Sequence, residues 1–167
     1  MTVKRATVAE INLESFRHNL YSIKSLIGPD VGTMAIIKAD AYGHGAIQCA
    51  RAATKELVDY MGVGIIQEGI ELRENGITSP ILILGGIYPN EIEDLIKYNL
   101  STSLSNSVLA SAISKKAKHA NKIVGVHIKI DTGMGRLGIQ PSACTNLLDH
   151  VISCRNLKIE GFFTHLS

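Results

Sequence analysis

The sequence predicts an α/β fold on parallel strands and, within that class, an incomplete (β/α)8 TIM-type barrel of about six βα units. Three observations predict it. Six short apolar runs recur about 20 to 35 residues apart. Their residues are apolar at successive positions, as in strands buried on both faces, and helical windows separate them; that combination is a parallel sheet with helical crossovers. The last run ends in "FFTHLS" with no helix after it. A closed barrel takes eight strands and about 250 residues, so a barrel is expected to be incomplete in this chain. An open doubly wound sheet of five or six strands is the competing architecture.

Each element has its own local reason. Asn12 is suited to cap a helix whose apolar positions Leu13, Phe16, Leu20, Ile23 and Leu26 follow steps of three and four, and "GPD" (28–30) ends it. The strand runs are "TMAII" (33–37), "YMGVGI" (60–65), "ILILGG" (81–86), "LSTSL" (100–104), "IVGVHIKI" (123–130) and "LKIEGFFTH" (157–165). Between them, Val108, Leu109, Ala112 and Ile113 form one helical stripe, and Leu147, Leu148, Val151 and Ile152 another. Pro141 suits the first turn of that second helix.

Bulk composition excludes several classes. The chain is 46% hydrophobic and 19% charged, with a net charge of +2 that suggests no nucleic-acid surface. The basic run "SKKAKHANK" (114–122) reads as a solvated helix face. Cys49, Cys144 and Cys154 are an odd set without CxxC spacing, better suited to reduced thiols than to a disulfide framework. No signal peptide is evident, and no apolar run approaches the roughly 18 residues of a membrane span. A soluble, cytoplasmic protein is expected.

In either architecture ligands bind at the C-terminal ends of the strands, so polar residues there are the candidates. Lys38 ends the first run; an amine where water is scarce is available as a nucleophile or base, as Schiff-base chemistry requires. The same lysine taken alone also fits one that snorkels to solvent. Tyr42, Gly43, His44 and Gly45 open a helix whose free N–H groups, with a nearby hydroxyl, suit an anion such as phosphate; an ordinary βα turn fits too. In "HIKIDTGMGRLG" (127–138), Arg136 stands on a glycine-flanked turn where a guanidinium can grip a carboxylate or phenolate. Lys129 and Asp131 share a face, and an inward lysine needs neutralising. A Lys–Asp or Asp–Arg brace at the rim is the plainer reading. His165 fits either a site residue or a core histidine.

Taken together, "AEINLESFRHNL", "IIKADAYGHGA", "QEGIELRENGITSPILILGG", "HIKIDTGMGRLGI" and "IEGFFTHLS" resemble the alanine racemases, bacterial fold type III enzymes that use pyridoxal 5′-phosphate (PLP). The resemblance implies that Lys38 anchors PLP covalently and acts as one of two bases, and that Tyr42 contacts the cofactor phosphate. It implies that Arg136 touches the ring oxygen and the substrate carboxylate. Lys129 matches a lysine often carbamylated, which turns a cation into an anion beside Arg136. His165 matches a histidine near the pyridine ring. No metal is implied. The family's remaining βα units, and the β-rich domain that supplies the opposing base across a homodimer, have no counterpart in these residues. Residues 1–11, with the strand "RATVAEI" (5–11), match the piece that joins that domain, leaving 12–167 as a partial PLP-binding barrel. The implied activity is L/D interconversion of alanine for peptidoglycan, with this portion inactive alone. Another fold type III amino-acid racemase, a decarboxylase, or a non-catalytic PLP-binding fragment are the alternatives.

Overall fold

The computed structural model describes residues 7–53 and 57–167. Helix α1 spans Leu13–Ile27, followed by β1 (Met34–Ile36), a short turn of helix α2 (Lys38–Gly43) and α3 (Ala46–Ala52). Next come β2 (Tyr60–Val63), α4 (Ile66–Glu74), β3 (Ile81–Ile83), α5 (Ile92–Lys97) and β4 (Ser101–Leu104). The described chain closes with α6 (Ser107–His119), β5 (Val124–Lys129), α7 (Cys144–Ser153) and β6 (Leu157–Phe163).

All six strands pair in parallel, in the order β1-β2-β3-β4-β5-β6. This order decides the architecture. A doubly wound sheet reverses its strand order at a switch point, whereas strands always added on the same side generate a barrel wall. Among the described residues β1 and β6 have one neighbour each, so the wall is an incomplete (β/α) barrel.

Local chemistry explains the element ends. The Asn12 side chain accepts a hydrogen bond from the Ser15 N–H at 2.9 Å, and Gly28 closes α1 at φ 82°. Leu13, Phe16 and Leu20 pack on the core as expected, but Ile23 and Leu26 do not: they are 50% and 87% exposed. α1 leans on α3, and the core contact ends with its first two turns. Val108 and Ile152 are likewise turned to solvent. Ile152 stands one residue, about 100°, from the buried Val151 of α7, and Val108 stands about 140° around α6 from the buried Ile113. Residues 5 and 6 lie outside the described set, and residues 7–11 join no strand within it.

The core lies between sheet and helices, where Val63, Ile83, Leu95, Ile113, Val126 and Ile128 are wholly enclosed. A polar cluster joins the strands that periodicity reads as plain apolar runs. The β5–β6 register slips between Val126 and His127, leaving Glu160 as an extra, bulged residue. Its Oε2 accepts hydrogen bonds from the Tyr60 hydroxyl at 2.7 Å and from Ser101 Oγ at 2.8 Å. Gly125 leaves room for it, since a Cβ there would force the Glu160 carboxylate and the Ser101 hydroxyl to shift. Burial, then the Glu160 hydrogen bond, pushes the Tyr60 phenol up to about 12. Burial pushes His127 down, with Glu160 opposing. No helix among the described residues is long and apolar enough to cross a membrane, and Cys49, Cys144 and Cys154 are free thiols.

Candidate active site at the C-terminal rim

Chain direction places the ends of all six strands on one rim, and the polar residues expected to act are there. Lys38, Tyr42, Lys129, Arg136 and His165 line a single cleft of about 430 Å³. That volume lies within the range of small-molecule sites, roughly 300–1,000 Å³. Gly64 and Gly85, after β2 and β3, form part of its wall. These two backbones touch: the Gly85 N–H donates to the Gly64 carbonyl at 3.1 Å. A Cβ on Gly85 would sit 2.5 Å from that carbonyl oxygen, so the position admits only glycine.

Lys38 does not end a strand. β1 stops at Ile36, and Lys38 begins α2. From Ala39 to Tyr42, four successive non-glycine residues have φ between 51° and 55°. This is a left-handed turn, which costs about 1–2 kcal/mol per residue. It persists because it is tied to the residues on either side of it. The Ala39 N–H donates to Glu68 Oε1 at 2.6 Å, and the Ala46 N–H donates to Asp40 Oδ1 at 2.6 Å. Lys38 Nζ then stands 5.9 Å from the centroid of the Tyr42 ring. The Asp40 bond overturns one expectation: the first N–H of α3 is already capped by a carboxylate, which would repel a phosphate.

The second loop, after β5, is built differently. Lys129 is buried at the strand's end, its Nζ 4.6 Å from the Phe163 ring centroid. Burial lowers its pKa, the Arg136 charge lowers it further, and Asp131 opposes. Asp131 makes no brace with Lys129 or Arg136. Its Oδ1 accepts instead from the Gly133 and Gly135 N–H groups, both at 3.0 Å. Those bonds, Gly135 first, hold its carboxyl below the usual range. Ile139 returns to the wall by donating its N–H to the Lys129 carbonyl at 2.9 Å. Arg136 is thus carried, exposed, on a loop tied at its base. His165 lies two residues beyond β6 and is exposed; it is not a core histidine.

Periodicity gave no reason to single out Glu68, Asp40 or the Gly64–Gly85 contact. Glu68 stands at the third position of α4, where an acidic side chain commonly caps its own helix. That signal is legible in the sequence; the reach of Oε1 to Ala39 is not.

A parallel barrel wall whose C-terminal rim gathers two lysines, an arginine and a phenol in one cleft has the layout of a barrel enzyme. The chain belongs to the alanine racemase family: residues 11–167 match the model of the alanine racemase N-terminal domain. It is 39% identical over 165 residues to the alanine racemase of Halothermothrix orenii, covering 99% of this chain and 44% of that protein. It is 42% identical over 163 residues to that of Carboxydothermus hydrogenoformans, covering 98% and 44%. The solved alanine racemase of Clostridium difficile superposes with a TM-score of 0.94 at 41% identity, over 99% of this chain and 46% of that one. The chain therefore spans less than half the length of the relatives it matches.

Proposed function

We propose that this chain is the N-terminal barrel portion of a cytoplasmic, PLP-dependent alanine racemase that supplies D-alanine for peptidoglycan and works as a homodimer when complete. The observation that carries the reading is the single cleft shared by Lys38, Tyr42, Lys129, Arg136 and His165. The residues present fit PLP. An amine stands at the cleft, side-chain-free glycines leave room for a flat ring, and the Arg136 guanidinium answers an anionic group. Bound PLP supplies an electron sink for the pair left on the substrate Cα when its proton departs.

The chain's own residues have the following roles. Lys38 anchors the cofactor covalently through Nζ and carries the proton on one face of Cα. Tyr42 binds the phosphate, the role the α3 N-terminus cannot take. Arg136 binds the ring oxygen and orients the substrate carboxylate through its planar fork. His165 packs beside the ring. Lys129 is carbamylated: its lowered pKa favours the neutral amine, which adds to carbon dioxide and releases a proton. The resulting anion beside Arg136 fixes the guanidinium. Residues 1–11 join the second domain, which contributes the opposing base.

Racemisation needs a base on each face of Cα, and this portion offers Lys38 on one. Each such group contributes about 10²–10⁴-fold. Adding PLP to the chain is expected to produce the visible absorbance of lysine-bound cofactor, but D-alanine at no more than the rate given by free PLP. Absence of the band would reject the PLP reading. Sustained turnover well above free PLP would place the second base within these 167 residues.

A further inference from the structure

The left-handed turn from Ala39 to Tyr42 joins the two residues assigned to the cofactor, and a residue from another βα unit holds it. We propose that Glu68 is a positioning residue that sets the spacing of Lys38 and Tyr42 by clamping this turn; the inference rests on the PLP reading above.

Both carboxylate oxygens are engaged, and in different directions. Oε2 faces its own helix, accepting from the Gly64 N–H at 2.6 Å and the Ile65 N–H at 3.3 Å. Oε1 leaves that helix and accepts from the Ala39 N–H at 2.6 Å. Capping α4 needs only the first set. The second bond reaches the residue next to Lys38 and fixes the start of the strained turn, while Asp40, its second residue, is held by the Ala46 N–H beyond it. Gly64 belongs to the same contact: an added Cβ there would meet Lys38 Cβ at 3.5 Å. One carboxylate thus sets the turn and the strand end against which the Lys38 side chain lies. If the clamp is lost, the four left-handed residues relax to their ordinary conformation, and Tyr42 moves relative to Lys38.

Glu68→Gln tests this. A glutamine offers one carbonyl oxygen and one NH2 group, so it can serve one set of N–H groups but opposes the other with a second donor. Two readouts are needed: hydrogen exchange of the Ala39 and Ala41 amides, and PLP affinity followed by the visible band. We expect exchange at the turn to rise, and PLP affinity to fall, each by about tenfold or more, the weight of a charge-assisted hydrogen bond. Glu68→Asp keeps the charge but is one methylene too short to span both donors. It should behave alike, and it replaces the glutamine variant should that fail to fold. Unchanged exchange at the turn overturns the proposal. So does a loosened turn with unchanged PLP affinity, because Glu68 would then be structural only. Should the unmutated chain take up no PLP, the functional reading fails, and the exchange comparison still decides whether Glu68 clamps the turn.

Discussion

The loop after β1 and the loop after β5 each bring a cation to the same cleft, and each is organised by a carboxylate gripping backbone N–H groups. The difference is where the carboxylate comes from. Asp131 opens its own loop and binds residues two and four positions ahead, with glycines to absorb the turn. The Lys38 turn has no glycine among its four left-handed residues, and it depends on Glu68, 29 residues away. The first arrangement is a local Asx-type turn that assembles wherever its residues are placed. The second exists only after β1 and β2 have paired. A strained conformation kept by a distant clamp gives Lys38 one fixed approach to the cleft, whereas the exposed Arg136 loop can adjust to what enters.

The largest expected effect separates covalent from non-covalent roles. Lys38→Ala should abolish the visible band of bound PLP in this chain and racemase activity in the complete enzyme. Lys38→Arg should restore neither, since a guanidinium stays protonated. Arg136→Lys should weaken cofactor binding and leave the band intact. Mass spectrometry after borohydride trapping reads both outcomes, and a trapped adduct surviving in Lys38→Ala would remove Lys38 from its role.

Support beneath the first loop comes next. Gly85→Ala forces a Cβ into the Gly64 carbonyl, and such overpacking costs about 1–3 kcal/mol. Urea denaturation should show this loss of stability for the whole barrel wall. An unchanged midpoint would mean that the β2 and β3 ends are free to separate.

Asp131→Ala should do less. Faster exchange at the Gly133 and Gly135 amides is expected, with a thermal midpoint near that of the unmutated chain, because the grip is local and solvent-facing. A large fall in the midpoint would make the two loops alike and break the comparison.

The smallest effect is a titration. The Asp131 carboxyl has its folded pKa below the ordinary 3.8, so the folded state binds its proton less readily than the unfolded chain does. Its contribution is therefore fully present above the unfolded value and is lost as pH falls through the lower, folded one. The Gly133 and Gly135 amide shifts should hold constant down to about pH 4, the ordinary carboxylate range, and move together below it. Movement beginning well above that pH would contradict the grip.

Much of this is legible in the amino-acid sequence. Asn12, Gly28 and Pro141 marked helix ends through their own side chains and dihedrals, and the six strands stand within the runs read for them. "DTGMGRLG" announced a glycine-flanked turn with an arginine on it, but not that Asp131 grips the Gly133 and Gly135 N–H groups in place of a brace with Lys129 or Arg136. "IIKADAYGHG" announced a lysine and a tyrosine, but not the hand of the turn between them. An alanine-rich stretch prefers the right-handed form on its own, and the preference is overridden by the Glu68 contact made across β2 together with the Asp40 bond to Ala46.

The sequence by itself determined the periods, the caps, the six strand segments and the family, because those signals are carried by neighbouring residues. Only the tertiary structure decided that the strands follow one another around a wall, that Glu160 bulges toward Tyr60 and Ser101, and that Glu68 holds the Lys38 turn left-handed. Each of those depends on which strands and loops become neighbours in space, and local propensity says nothing about neighbours tens of residues away.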